Sequence, residues 1–298
     1  MKTRRFQQVD VFTQQPLLGN ALAVVLDGED LSDAQMAAFA RWTQLSETAF
    51  LLPPTEAAAD YRVRIFTPTV ELPFAGHPTI GSCHAWLSAG GRPQTDGEVV
   101  QQCGVGLVRL RREGSRLAFA APPRRRDGPL DETTVERIAR FLGVARSDIV
   151  DHQHCDNGPA WKAVRLASAA QVLALRPRLG SENDLEVGVV GAHASAAGRA
   201  PAHSAGPGPG PGDGEALAFE VRAFFPAAGG GLAEDPVTGS LNAALAQWLI
   251  GAGIAAPRYT AAQGAALGRA GRVHVEQDGG TLWIGGDCVA LVRGELTL

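Results

Sequence analysis

The sequence predicts an α+β protein of two pseudo-symmetric domains, each a curved sheet or barrel wrapped around one central apolar helix. Three observations carry this expectation. Residues 63–82 recur at 221–240: Val63, Arg64, Phe66, Pro68, Ala75, Pro78, Gly81 and Ser82 reappear without a gap as Val221, Arg222, Phe224, Pro226, Ala233, Pro236, Gly239 and Ser240. Chance does not supply so many identities, so the chain reads as a duplicated unit. The segment around the end of each copy is apolar nearly all round, as in Ile80, Cys83, Ala85, Trp86 and Leu87, which marks a buried helix rather than an amphipathic one. The length of 298 residues accommodates two domains of ordinary size.

The elements follow in order. Leu22 to Leu26 is a short buried strand. Ser32-Asp33 caps a helix running to about Leu45, with Met36, Phe39, Ala40 and Thr43 on one face. Ala49 to Leu52 is a strand stopped by Pro53-Pro54, and Tyr61 to Phe66 alternates polar and apolar as a half-buried strand does. The buried helix starts at Pro78, because proline suits the first helical position. A hairpin follows, 105–110 and 117–120, turning at Glu113-Gly114. The second half repeats the order: a strand over 163–166, a helix from Ala169, strands over 185–190 and 219–224, then a buried helix from Pro236 to Ile250.

The match extends at neighbouring offsets. Ala34-Gln35 corresponds to Ala170-Gln171, and Gly106, Val108, Gly114 and Leu117 to Gly271, Val273, Gly279 and Leu282. The extra residues of the second half are found in 195–215, where Pro, Gly, Ala and Ser dominate. Such a composition cannot bury enough apolar surface to order itself, so a disordered insert is expected there. The expected domains are 1–122 and 123–288, with the tail 289–298 packing back on the first.

Composition excludes several classes of function. A net charge of −4 does not suit a nucleic-acid surface, and Arg124-Arg125-Arg126 reads as a solvated linker. The N-terminal residues have no apolar core of a signal peptide, and no run of about 18 residues is free of polar groups, so no membrane span is expected. Cys83, Cys103, Cys155 and Cys288 are far apart, which suits a reduced, cytoplasmic protein. His152-Gln153-His154-Cys155 reads as a loop pair of histidines without a carboxylate at metal-ligand spacing. Gly229-Gly230-Gly231 precedes no Lys-Ser/Thr and is no phosphate loop. No metal and no cofactor is expected.

Chemistry is expected where the repeat is tightest. His77 and Asp235 precede Pro78 and Pro236, which places them at the caps of the two buried helices. The amides that follow, with Gly76 and Gly239 allowing close approach, make anion-binding ends. Two such ends facing each other across a cleft would grip one small anionic ligand. Glu47, in Ser46-Glu47-Thr48-Ala49-Phe50, has no repeat partner, since the matching region reads Arg178-Leu179-Gly180-Ser181. An unrepeated carboxylate in a duplicated frame is where a specialised proton carrier would sit.

Read together, these segments carry a resemblance. Val9-Asp10-Val11-Phe12-Thr13 with Gly19-Asn20, Ser46 to Phe50, Arg64 to Pro68, Phe74-Ala75-Gly76-His77-Pro78-Thr79, Glu234 to Ser240, and Gln263-Gly264 with Leu267-Gly268-Arg269 resemble the phenazine-biosynthesis isomerase family (PhzF-like). The resemblance runs in order over nearly the whole chain. It implies the diaminopimelate epimerase-like fold, with the active site between two similar domains. It implies a cofactor-independent isomerase of the dihydro-hydroxyanthranilate type, acting on a small carboxylate. Glu47 then resembles the family's acid/base, His77 and Asp235 its two polar partners, and Ser240 with the amides near Gly76 and Gly239 its carboxylate grip. Asn20, in the quoted Gly19-Asn20 pair, belongs with the substrate-binding residues. The expected partners are a small-molecule carboxylate and a second copy in a homodimer, with no nucleic acid and no membrane.

The chain departs from the epimerases of that fold, which use two cysteines at the helix starts. Here Cys83 lies a turn or more inside the helix, so thiol-based racemisation is disfavoured. The insert at 195–215 is no part of the family plan. The alternatives are an amino-acid epimerase or racemase-like enzyme on the same frame, and a non-catalytic member that binds a metabolite or partner. Retention of Glu47, His77 and Asp235 together speaks against the last.

Overall fold

The computed structural model describes residues 1–180, 182, 184–194, 216–227 and 230–298. The expected disordered insert, 195–215, lies outside the described residues. Contacts divide the chain into two units, Met1–Ala120 with Trp283–Leu298, and Ala121–Leu282. The segment that returns to the first unit therefore begins at Trp283, six residues before the expected position.

In the first unit β1 (Thr3–Val11) lies antiparallel to β2 (Asn20–Val25). Helix α1 (Asp33–Thr43) leads to β3 (Glu47–Leu52), which is parallel to β2. Strand β4 (Tyr61–Phe66) is antiparallel to β3 and pairs at its end with the short β5 (Glu71–Leu72). Helix α2 (Gly76–Ser88) leads to β6 (Glu98–Cys103), parallel to β4, and the antiparallel β7 (Gly106–Glu113) and β8 (Arg116–Ala120) follow. α1 starts where expected: Ser32 and Gln35 form a reciprocal capping box. Its Met36, Phe39 and Ala40 pack on Val25, Phe50 and Phe66. α2 holds no charged residue and touches β1, β2, β3, β6 and β8, so the sheet curves around it.

The second unit adds α3 (Glu132–Leu142), capped by Asp131 and ended by Gly143 in the left-handed conformation. Then β9 (Ile149–Asp156) pairs antiparallel with β10 (Ala160–Leu166). The expected histidine loop is therefore strand: His152 to Cys155 lie within β9, whose ladder with β10 uses their backbone. α4 (Ala169–Ala174) leads to β11 (Val187–Ala192), parallel to β10. Strand β12 (Leu217–Pro226) is antiparallel to β11, and β13 (Leu232–Asp235) is antiparallel to β12. Helix α5 (Gly239–Gly251) leads to β14 (Arg258–Gln263), parallel to β12, with β15 (Gly271–Asp278) antiparallel to it. Last come β16 (Thr281–Gly286), whose Trp283 to Gly286 pair with β8, and β17 (Cys288–Thr297), which pairs with β1.

The two units thus share one order of pairing: antiparallel, parallel through a helix, antiparallel, antiparallel, parallel through the apolar helix, antiparallel. Registers give the equivalent positions. Phe50 faces Arg64 and Val189 faces Arg222, so the counterpart of Glu47 is Glu186 and not residues 178–181, and the carboxylate expected to be unrepeated has a repeat partner. Arg64 forks onto Glu71, and Arg222 onto Glu234, each through Nε and Nη2 at 2.8 and 2.7 Å.

The same registers correct the ungapped repeat. Phe66 faces Glu71, whereas Phe224 faces Glu234; the β12–β13 hairpin is five residues longer. Past that hairpin the offset is 163. α2 and α5, both 13 residues long, then match Gly76 with Gly239 and His77 with Ser240. The sequence identities Pro78/Pro236 and Ser82/Ser240 do not occupy equivalent places.

Candidate active site

The helix starts differ from expectation. α2 begins at Gly76 with Ala75 as its N-cap, so His77 is its second residue and Pro78 its third. α5 begins at Gly239 with Thr238 as its N-cap, so Pro236 lies outside the helix and Asp235 closes β13. Residues 236–238 link β13 to α5, and Thr238 Oγ1 donates back to Asp235 across them.

In the first unit the structure brings Asn20, Glu47 and His77 together. Asn20 opens β2 and Glu47 opens β3, two parallel neighbours, and the first turn of α2 brings in His77. The His77 ring is buried. Its Nδ1 is 3.2 Å from Asn20 Nδ2, and its Nε2 is 3.4 Å from a Glu47 carboxylate oxygen. Burial depresses the His77 pKa to about 3, so the imidazole is neutral at physiological pH. With the Asn20 amide donating to Nδ1, the ring proton sits on Nε2 and faces Glu47. Glu47 keeps 16% of its side chain accessible, enough to meet a ligand.

The loop between β1 and β2 sets Asn20. Asp10 accepts the Gly19 amide at 3.0 Å, and a Cβ on Gly19 would stand 2.2 Å from the Val11 carbonyl, so only glycine fits. Phe12, fully buried, takes a left-handed φ of 66°; strain of this kind collects at functional positions.

In the second unit, Asp235 accepts a 2.5 Å hydrogen bond from Thr238 Oγ1. Gln263 completes the cradle. Its amide nitrogen donates to the Asp235 carbonyl and Thr238 Oγ1, and its oxygen accepts from Thr238 N and Asn242 Nδ2. Ser240 Oγ accepts from the Trp161 indole at 3.1 Å. Gln263 and Thr238 stand within the motifs of the sequence without a role there, and Trp161 stands outside them. No local signal marks Gln263 or Trp161, because their bonds reach residues 21 to 79 positions away.

The helices divide in another way. α1, α3 and α4 are each capped by a side chain, from Ser32, Asp131 and Ser168. Neither α2 nor α5 has a side-chain cap bond, so their first turns keep amides that can meet an anion. Cys83 is buried inside α2, where burial pushes its thiol up to about 12; a thiol so held is no proton carrier at neutral pH. Among the described residues, no three His, Cys, Asp or Glu side chains are grouped to hold a metal ion.

A family model described as "Phenazine biosynthesis-like protein" matches residues 9–294. The chain belongs to this family. An uncharacterised isomerase of Pasteurella multocida is 30% identical over 98% of this chain and 93% of its own length. The trans-2,3-dihydro-3-hydroxyanthranilate isomerase of Pseudomonas chlororaphis is 36% identical over 57% of this chain and 59% of its own. The solved structure of a predicted epimerase from Pseudomonas aeruginosa covers 99% of both chains at 27% identity, with a TM-score of 0.74. The protein is thus an isomerase of the phenazine biosynthesis-like family with an epimerase-like α+β fold. Among the described residues no helix is long and apolar enough to cross a membrane.

Proposed function

We propose that the protein moves a proton between two carbons of a small unsaturated carboxylate of the dihydro-hydroxyanthranilate class, with Glu47 as the group that takes and returns it. The observation that carries this reading is the Glu47–His77–Asn20 chain. A neutral His77 sets Nε2–H 3.4 Å from the Glu47 carboxylate, a close approach short of hydrogen-bond geometry, without cancelling its charge, and Asn20 fixes the tautomer that does so. One carboxyl that serves first as base and then as acid leaves the composition of the substrate unchanged. Such transfer typically contributes ~10²–10⁴-fold to rate.

Asp235, steadied by Thr238 and Gln263, is assigned as the second polar partner. The uncapped turns at Gly76 and at Gly239-Ser240 are assigned to the carboxylate of the substrate. The substrate class is supported by the activity of the Pseudomonas chlororaphis relative. A cytoplasmic location is supported by four cysteines that are all free.

The experiment is incubation with trans-2,3-dihydro-3-hydroxyanthranilate in deuterated water, followed by mass spectrometry. The expected result is an isomer of unchanged skeleton carrying solvent deuterium, with label lost in Glu47→Gln. Deuterium entering another carboxylate of a metabolite pool, but not this one, would replace the substrate and keep the shuttle. Label that persists in Glu47→Gln would overturn the role of Glu47.

A further inference from the structure

The second residues of the two apolar helices are held alike. His77 in α2 and Ser240 in α5 occupy equivalent places, one residue after Gly76 and Gly239. Each side chain can both accept and donate a hydrogen bond. In each unit a buried side chain takes the accepting side. Asn20 Nδ2 donates to His77 Nδ1 at 3.2 Å, and the Trp161 indole donates to Ser240 Oγ at 3.1 Å. An indole nitrogen only donates, so the direction of the second bond is fixed.

The two donors share an origin in the fold. Ala23 faces Thr48 and Lys162 faces Val187. Thr48 and Val187 are equivalent, because Phe50 and Val189, two residues on, face Arg64 and Arg222. Trp161 of β10 therefore stands where Leu22 stands in β2, two residues past Asn20 and on the same face of the strand. One face of equivalent strands thus supplies the donor to each helix start.

What each arrangement leaves over is a proton. In the first unit it is His77 Nε2–H, which has no hydrogen-bond acceptor and stands 3.4 Å from Glu47. In the second unit it is Ser240 Oγ–H, which meets no acceptor among the described residues. A serine inside a helix commonly donates back to the carbonyl four residues earlier. For Ser240 that residue is Pro236, which lies outside α5, and the bond is not made. Trp161 and Ser240 are 4% and 8% exposed, so the uncommitted donor is largely withdrawn from solvent. Asn157 Nδ2 steadies the same residue through its carbonyl, at 2.8 Å. The amides of the first turn of α5 add further donors, since the earliest amide bonded within the helix is that of Asn242, to the Thr238 carbonyl.

We propose that Trp161 is a positioning residue that occupies the accepting side of Ser240 Oγ and so commits the hydroxyl proton of Ser240 to the carboxylate of the substrate. The inference rests on the assignment of that carboxylate to the first turn of α5. A hydroxyl that is free to turn can present either a lone pair or a proton, and a lone pair repels an anion. With the indole in place only the proton is presented, so the ordering is made before the ligand arrives. The hydrogen bond to a charged acceptor is also strengthened by the one that Ser240 Oγ already accepts.

The test is a double-mutant cycle on the full chain, with circular dichroism to confirm folding. Titration calorimetry reads the binding of anthranilate, a stable aromatic carboxylate of the substrate class. Ser240→Ala should weaken binding by at least ~10-fold, as expected for a lost bond to a charged group. Trp161→Phe, which removes the N–H and keeps an aromatic ring, should weaken it by at least ~3-fold. Benzothienylalanine at position 161, with sulfur in place of the N–H at nearly the indole's volume, should do the same and separates the lost donor from a lost fit. In Ser240→Ala the further change Trp161→Phe should cost nothing, because no hydroxyl is left to orient. Weakening by Ser240→Ala without weakening by either change at 161 would overturn the role of Trp161 and leave the carboxylate assignment standing. Losses that add in the double variant would make Trp161 a packing residue and overturn the proposal likewise. Undiminished binding in Ser240→Ala would overturn the carboxylate assignment itself, and this inference with it.

Discussion

The duplicated arginine–glutamate fork offers one chemical perturbation at two levels of burial. In the second unit Arg222 and Glu234 are 6% and 7% exposed, and Arg222 Nη1 also donates to the Leu175 carbonyl at 3.0 Å. Its guanidinium lies 5.2 Å from the Phe224 ring. In the first unit Arg64 is 17% and Glu71 41% exposed, the guanidinium lies 5.1 Å from Phe66, and Asp33 provides a second carboxylate at 2.6 Å. Glu→Gln keeps the shape and removes the charge at either place. At Glu234 it leaves Arg222 as a buried charge bonded only to carbonyls, with a ring and the through-space charge of Glu220 nearby, which costs about 3–5 kcal/mol. At Glu71 water and Asp33 take over, and the cost is under ~1 kcal/mol. Urea denaturation of the two variants, compared at equal slope, reads the difference directly. Equal losses, or a larger loss at Glu71, would refute the view that burial and the want of a second partner make the Arg222 fork structural.

Other consequences follow from single sites. Glu47→Gln should lower turnover by at least ~10² with little change in ligand affinity, and Ser46→Ala should be mild, as read by the deuterium assay and calorimetry. Glu220, buried in β12 beside His193 at 3.3 Å, has its pKa raised from 4.5 to about 7, chiefly by desolvation. The fold therefore binds more protons there than the unfolded chain does, and this group's contribution falls as pH rises from 4.5 to about 7. Glu220→Gln should remove ~1–2 kcal/mol of that fall, allowing for solvent screening; parallel stability–pH curves for the two proteins would contradict it. Gly264, at φ 99°, would set a Cβ 2.6 Å from the Pro236 carbonyl, so Gly264→Ala should cost about 1–3 kcal/mol and disturb the approach to α5, seen as a lower melting temperature together with weaker activity. Purified protein is expected to carry no stoichiometric metal, flavin or pyridoxal, and one equivalent of zinc by elemental analysis would contradict this.

Much of the frame was legible because its signals are local. Ser32 three residues before Gln35 announces a capping box, alternation over Tyr61 to Phe66 announces a half-buried strand, and an apolar stretch after each motif announces a buried helix. α3 was legible too, with Asp131 before it and Gly143 after it, yet it stands outside the repeat and was passed over. β6, β9 and β14 carry mixed polar and apolar residues whose burial depends on which helix covers them, and their sequences alone do not say.

By itself the sequence determined that the chain is duplicated and that each half folds a sheet around an apolar helix, and it singled out Glu47, His77 and Asp235 as candidates for the chemistry. Motif spacing and hydrophobic period act over a few residues, so they survive without tertiary context. Only the tertiary structure decided that His77 corresponds to Ser240 rather than to Asp235, because a hairpin longer by five residues shifts the register while the identical letters stay in place. Only it decided that His77 is neutral, since that depends on burial, and which tautomer it takes, since that depends on Asn20, 57 positions away. And only it showed that β17 pairs with β1 and so joins the two ends of the chain, because no local pattern reports which distant strands will meet.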